Sequence, residues 1–157
     1  TKVDLSALTE ETVHTLQIAA EKKGQTLTAD IAPGITLDGD SGKLMQIFYN
    51  LTDNAIKYTP ENGHIAVRLA QSGANVLFAV TDDGIGIPEE DQKHIFERFY
   101  RVDKARSRAT GGTGLGLSIV RQLAAMHGGT VSVSSQPGQG TTFTVTLPMD
   151  AKRGEKA

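Results

Sequence analysis

Asn50-Leu51-Thr52-Asp53-Asn54-Ala55-Ile56-Lys57-Tyr58 closes an amphipathic helical pattern, and its reading decides the fold. The pattern begins after Asp40 or Ser41, either of which suits a helix N-cap. Its apolar face is Leu44, Ile47, Phe48, Leu51 and Ile56, and Pro60 to Gly63 breaks it. On the polar side Asn50 and Asn54 lie one turn apart, and Lys57 follows one turn later on the same stripe. Asparagine is a poor helix former, so two on one turn need a reason.

Upstream, Leu5, Leu8, Thr12, Leu16 and Ala19 or Ala20 recur at helical spacing, predicting a helix over roughly 5 to 23 that Gly24 stops. Gln25 to Ile31 alternates as a strand, and Pro33-Gly34 reads as a turn. Downstream, strands are expected over about 64 to 71 and 75 to 82, joined as a hairpin by Ser72-Gly73-Ala74. Pro88 opens a short acidic helical turn toward Phe96. Residues 97 to 113 have no clean periodicity and hold Arg98, Arg101, Lys104, Arg106 and Arg108, the composition of a lid or of disorder. A third helix is expected from about Leu115 to His127, then strands over about 130 to 135 and 141 to 147 around Pro137-Gly138-Gln139-Gly140. The fold class is therefore α/β (α+β): a two-layer sandwich with a mixed sheet of about five strands covered on one face by about three helices. Residues 1 to 149 read as one domain and 150 to 157 as a frayed polar tail.

The chain has 157 residues, 38% hydrophobic and 22% charged, ordinary for one globular domain. A net charge of −2 gives no footprint for nucleic acid or a membrane surface. There is no cysteine, which removes disulfides and thiolate zinc sites. No apolar run approaches the roughly 20 residues that span a bilayer, and no signal peptide is visible, which fits a cytosolic compartment. The first residue is Thr1 and a helical pattern starts almost at once, so the chain reads as part of something longer.

Three segments can carry chemistry. Two neutral amide oxygens and an ammonium on one stripe, Asn50, Asn54 and Lys57, suit a magnesium ion carrying phosphates; the plain alternative is a solvated helix face. Val80-Thr81-Asp82-Asp83-Gly84-Ile85-Gly86-Ile87-Pro88 delivers a carboxylate, Asp82, into a turn whose glycines let backbone lie close to a flat ligand. A carboxylate there accepts from the 6-amino group of adenine and repels the 6-oxo group of guanine; a strand-ending acidic turn is the alternative. Gly111-Gly112-Thr113-Gly114-Leu115-Gly116-Leu117 frees backbone N–H groups at a helix N-terminus for an anion, or is merely a flexible linker. It fits neither the P-loop nor the dinucleotide pattern. In this order the three read as an ATP site.

Together these segments resemble the catalytic ATP-binding domain of bacterial sensor histidine kinases, over about residues 4 to 148. Asn50 to Tyr58 is similar to that family's asparagine box, Asp82 to Gly86 to its first glycine box, and Phe96-Glu97-Arg98-Phe99-Tyr100 to its phenylalanine box. Gly112 to Leu117 resembles its second glycine box, and Gly138-Gln139-Gly140-Thr141-Thr142-Phe143 its closing glycine motif. The resemblance implies a Bergerat-type sandwich with a mobile lid, binding ATP and Mg²⁺. Carried over, Asp82 binds adenine with Thr141 supporting it through water, and Gly84, Gly86 and Ile87 line the base. Asn54 coordinates magnesium, with Asn50 assisting at the metal or the phosphates. Lys57 and the backbone of Gly112, Gly114, Leu115, Gly116 and Leu117 hold phosphates, and Tyr58 packs near base or ribose. Arg106 is the expected lid arginine on the γ-phosphate, with Arg108 or Lys104 as alternatives, and Phe96 and Phe99 anchor the lid base.

The family's acceptor histidine sits in a His-Glu-Leu-Arg-like motif on a separate helical hairpin. None is present: His14, His64, His94 and His127 each read as a surface or packing histidine. The implied partners are that dimerisation and acceptor hairpin and, through the full-length kinase, a response regulator. The implied setting is the cytoplasmic part of a membrane-bound sensor, without direct membrane or nucleic-acid contact, the fragment itself being a monomer. Other ATPases of the fold carry Glu as general base where Asn50 stands; Asn has no such basicity, so transfer is expected rather than hydrolysis. An anti-sigma-type serine kinase and a degenerate nucleotide-binding module are the competing expectations.

Overall fold

The computed structural model describes residues 2–97, 116–136 and 138–149. Strand β1 (Lys2–Asp4) leads into helix α1 (Leu5–Lys22), then β2 (Thr26–Ile31), β3 (Thr36–Asp38) and helix α2 (Ser41–Tyr58). The hairpin β4 (His64–Ser72) and β5 (Asn75–Asp82) follows, then the single turn α3 (Glu89–Gln92), helix α4 (Gly116–Met126), β6 (Thr130–Gln136) and β7 (Gly140–Pro148). The main sheet has five strands in the order β2-β4-β5-β7-β6. Only β2–β4 is parallel, and α2 lies in the crossover between them, so the sheet is mixed as expected.

A second, two-stranded sheet pairs β1 with β3. Neither strand was legible in the sequence, because three residues are too few for an alternation to declare itself. Of the two expected caps for α2 it is Asp40 that accepts, from the Lys43 N–H at 3.1 Å; α1 is capped by Asp4, which the sequence reading did not single out, accepting from the Ala7 N–H at 3.0 Å.

Alternation along the central strands builds the core. Val76, Phe78 and Val80 of β5 point to the helical layer with Ile65, Val67 and Leu69 of β4 and Phe143, Val145 and Leu147 of β7. The helices supply Leu16, Leu44, Ile47, Phe48, Leu51 and Val120. The Phe48 and Phe78 rings stack at 4.0 Å, locking α2 to β5, and Phe96 meets Phe143 edge-on at 6.1 Å. Phe96 is thus a core aromatic; Phe99 lies outside the described residues.

His127 is buried. Its Nδ1–H donates to the Leu123 carbonyl at 2.9 Å, and Nε2 accepts from the Asp40 N–H at 3.2 Å, tying the end of α4 to the start of α2. Of the two expected roles it has the packing one. His64 is exposed, with its ring 2.9 Å from the Asp83 carboxylate.

The C-terminus of α2 is closed by residues distant in sequence. Thr59 leaves the helix extended, so the last carbonyls lack intrahelical partners. Lys23 donates to the Ile56 carbonyl at 2.7 Å and the Thr59 carbonyl at 3.1 Å; the Gln25 amide donates to the same pair at 3.0 and 2.7 Å. An ammonium there also opposes the helix dipole. Lys23→Ala should lose about 1–2 kcal/mol in urea unfolding, the loss of charged-donor hydrogen bonds to carbonyls that then keep only the Gln25 amide. Unchanged stability would rule out the capping role.

Candidate functional site

The inward rows of three strands end in polar residues at the same edge of the core. On β5 the row Val76, Phe78, Val80 finishes at Asp82, and on β7 the row Leu147, Val145, Phe143 finishes at Thr141. On β6, Val131 and Val133 are followed by Ser135. Asp82 pairs with Thr141 and Thr141 with Ser135, so the three side chains stand in one line across the sheet.

Asp82 is buried, 8% exposed, and its burial pushes the carboxyl up to about 6. The Gly84 N–H donating to Oδ1 at 2.9 Å and the Thr141 backbone N–H pull the other way, and the neighbouring Asp83 carboxylate adds to the rise. Asp83 is exposed and held below the ordinary range, first by the His64 backbone N–H at 2.7 Å. Neighbours in sequence therefore differ in state: only Asp82 faces the core edge with a strong proton affinity.

The turn after Asp82 sits against the end of α2. A Cβ on Gly84 would come within 2.6 Å of the Tyr58 carbonyl oxygen, so only glycine allows that approach. Gly140 has φ +102°, and a Cβ there would collide with the Asp82 carbonyl oxygen. Gly140→Ala should cost at least about 2 kcal/mol, from the forced backbone and the overlap together. A denaturation midpoint within error of the parent would contradict this close packing.

The approach of Gly84 to the Tyr58 carbonyl brings the turn after Asp82 against the last turn of α2, the helix that carries the expected amides. Asn50, Asn54, Lys57 and Tyr58 are half-buried on α2, and neither asparagine amide is hydrogen-bonded to another described residue. Lys57 pairs with Asp53 at 3.1 Å, a partner that the sequence reading did not weigh. Gly86 is buried and Ile87 half-buried; the Ile87 N–H donates to Ser135 Oγ at 2.8 Å. Gly116 opens α4, and Leu117 packs against the core. Arg106, Gly112, Gly114 and Leu115 lie outside the described residues, as do Lys104, Arg108 and the expected lid.

The sequence reading missed Ser135 and Gln92. Gln92 Nε2 donates to the Ile87 carbonyl at 2.8 Å and the Ser135 carbonyl at 3.0 Å, stapling the turn to β6. A signal existed for Ser135: it occupies the apolar phase of a strand, as Asp82 does.

The donor chemistry of α2 is that of a hard, oxygen-seeking cation. Among the described residues no group of three or more His, Cys, Asp or Glu could hold an ion. Neutral amides bind a hard cation weakly by themselves, which suits magnesium arriving with phosphates and keeping waters rather than a resident ion.

Residues 39–151 match the family described as histidine kinase-, DNA gyrase B-, and HSP90-like ATPase. The chain is 47% identical over 146 residues to the sensor-like histidine kinase SenX3 of Mycolicibacterium smegmatis, covering 93% of this chain and 38% of that protein. The chain thus spans well under half the length of that curated relative. The solved catalytic domain of histidine kinase ThkA superposes with a TM-score of 0.85 at 28% identity, over 98% of this chain and 97% of that one. ThkA has also been solved in complex with the response regulator protein TrrA (TM-score 0.79, 26% identity, 96% and 42% covered). Full-length ShkA in complex with AMPPNP matches with a TM-score of 0.78 at 34% identity, over 94% of this chain and 30% of that one.

Proposed function

The chain belongs to the histidine kinase-, DNA gyrase B-, and HSP90-like ATPase family, and on that basis we propose that it binds Mg²⁺-ATP and transfers the γ-phosphate to a histidine on a dimerisation hairpin. The observation that carries this is the seating of the Asp82–Gly84 turn against the last turn of α2, 2.6 Å separating the Tyr58 carbonyl oxygen from a Cβ built on Gly84. One helix then offers amides to phosphates while the adjoining strand end offers a carboxylate to a base.

Asp82 accepts from the adenine 6-amino group and excludes a 6-oxo purine by lone-pair repulsion. Asn54, with Asn50 one turn before it, holds the metal through amide oxygens, and neutral ligands leave the ion's charge available to the phosphates. Magnesium, when bound, neutralises charge on the transferring phosphoryl group. Lys57 reaches a phosphate oxygen by leaving Asp53, a partly exposed pair that is weak to begin with. Gly112, Gly114, Leu115, Gly116 and Leu117 supply backbone N–H groups, and Arg106 the lid cation. Asn50 lacks the basicity to activate water, so the triphosphate persists until an imidazole is brought in line with it.

The AMPPNP bound to ShkA and the TrrA bound to ThkA support ATP as donor and a response regulator as the later recipient. Residues 1 to 149 form the transferring domain on this reading, and the parent works at the cytoplasmic side of a membrane. The test is to mix this chain with a separately made acceptor hairpin and γ-labelled ATP. Acid-labile, base-stable phosphate on the hairpin is expected. Transfer to a serine-bearing protein instead would favour the serine-kinase reading, and no ATP binding would favour the degenerate module.

A further inference from the structure

Ser135 is the junction of the polar line at the core edge. Its Oγ accepts from the Ile87 N–H at 2.8 Å, donates to the Gly140 carbonyl at 2.8 Å, and lies 2.9 Å from Thr141 Oγ. A hydroxyl has one hydrogen and two lone pairs. The carbonyl of Gly140 can only accept, so it takes the Ser135 hydrogen. The Ile87 N–H can only donate, so it fills one lone pair. The remaining lone pair faces Thr141, whose hydroxyl must supply the hydrogen for that contact.

Thr141 is buried, 6% exposed, and paired in register with Asp82. Its proton is turned sideways along the sheet, away from Asp82, and what it keeps for a ligand is lone pairs. We infer that Ser135 is a specificity-determining residue: by taking the Thr141 proton, it leaves Asp82 and Thr141 as two adjacent acceptors that match the exocyclic amine of a 6-aminopurine. This rests on the reading of Asp82 as the base contact and goes beyond it. Asp82 alone gives a single acceptor side chain, part of whose capacity the Gly84 N–H takes at Oδ1. A Thr141 free to rotate would offer its proton to a 6-oxo group and weaken the discrimination. Buried sites reject a ligand most strongly when its polar groups cannot pair with theirs.

The arrangement also connects base and turn. The Ile87 N–H that fills the first lone pair belongs to the segment that Gln92 staples to β6, and the Gly138 N–H donates to the Ile85 carbonyl at 2.8 Å. The turn after Asp82 and the β6–β7 hairpin are therefore fixed to each other through the hydroxyl that sets the Thr141 proton.

The experiment measures affinities for Mg²⁺-ATP and for inosine triphosphate, which differs in carrying a 6-oxo group without a 2-amino group. Titrations are run at pH 8, where Asp82 is ionised, on the parent chain and on S135A, S135T, T141V and the S135A/T141V pair. In S135A the Thr141 proton is released, and the ATP-to-inosine-triphosphate preference should fall about tenfold, the worth of one hydrogen bond. S135T keeps the hydroxyl and the parent preference. T141V has no proton to release, so adding S135A to it should change the preference no further. A merely structural Ser135 would weaken both nucleotides alike in S135A; an unchanged ratio there, with a parent that discriminates, overturns this inference alone. Should S135A not fold, a T141V preference equal to the parent's overturns it instead. A parent chain that binds both nucleotides equally overturns the Asp82 reading as well.

Discussion

Asn54→Ala is expected to cost most of the magnesium-dependent ATP binding and to leave the fold in place. Asn54 is half-buried on the polar side of α2, and the packing of that helix depends on its other face, through Leu44, Ile47, Phe48, Leu51 and Ile56. Its amide makes no hydrogen bond to another described residue, so its removal strands no partner among the described residues. Alanine is the better helix former by a few tenths of a kcal/mol or more, so the variant should unfold at the same urea concentration or slightly higher. The ligand loss should be much larger. Removing the groups that merely orient a metal's ligands costs about 10- to 100-fold, and removing a ligand itself should cost at least about 100-fold. Calorimetry with and without Mg²⁺ reads the effect. Adenosine, which carries no phosphate, should bind the variant as it binds the parent. Equal Mg²⁺-ATP affinities in the two proteins would reject the metal assignment.

Asp82→Asn should make the protein more stable and less selective. The folded carboxyl titrates at about 6 against an ordinary 3.8, chiefly because it is buried. Between those values the folded state keeps a proton that the unfolded state has released, so stability falls as pH rises through that window. Above about pH 6 the full burden of the buried charge is present. It is relieved as the pH drops through 6 toward 3.8. Asparagine carries no charge, and its Oδ1 can still accept from the Gly84 N–H. The variant should therefore exceed the parent by about 1–3 kcal/mol at pH 8, and the difference should close below about pH 4. Over the same range the loss of the ionised acceptor should weaken ATP about 10- to 100-fold and flatten the preference for adenine. The parent's own ATP affinity should fall on acidification through pH 6. A variant no more stable at pH 8, with adenine preference intact, would contradict both halves of the argument. A destabilising charge held at a core edge is the usual mark of a site shaped for ligand rather than for stability.

The fold was largely legible because its signals are local. Helical spacing, the Asp40 cap and the period-2 rows of β4, β5 and β7 announced α1, α2, α4 and the hairpins. What escaped was of two kinds. The strands Lys2–Asp4 and Thr36–Asp38 are too short to show a period. The cap on α2 comes from Lys23 and Gln25, more than thirty residues upstream, and no local rule connects them. Of the candidate site, Asn50, Asn54, Lys57 and Asp82 were nameable from their residue types and spacing, and Tyr58 only from the family resemblance. The Asp53 partner of Lys57 was also within reach, being four residues away on the same helix.

Sequence alone settled the phase of each element: it put Asp82 in the row of Val76, Phe78 and Val80, and Thr141 in that of Phe143, Val145 and Leu147. Periodicity is a property of one segment, fixed by its own backbone geometry. Only the tertiary structure chose the register that sets Ser135 beside Thr141 beside Asp82 and seats Gly84 on Tyr58. Register is a relation between segments, decided by how their buried rows fit against a shared helical layer, and no single stretch of chain carries it.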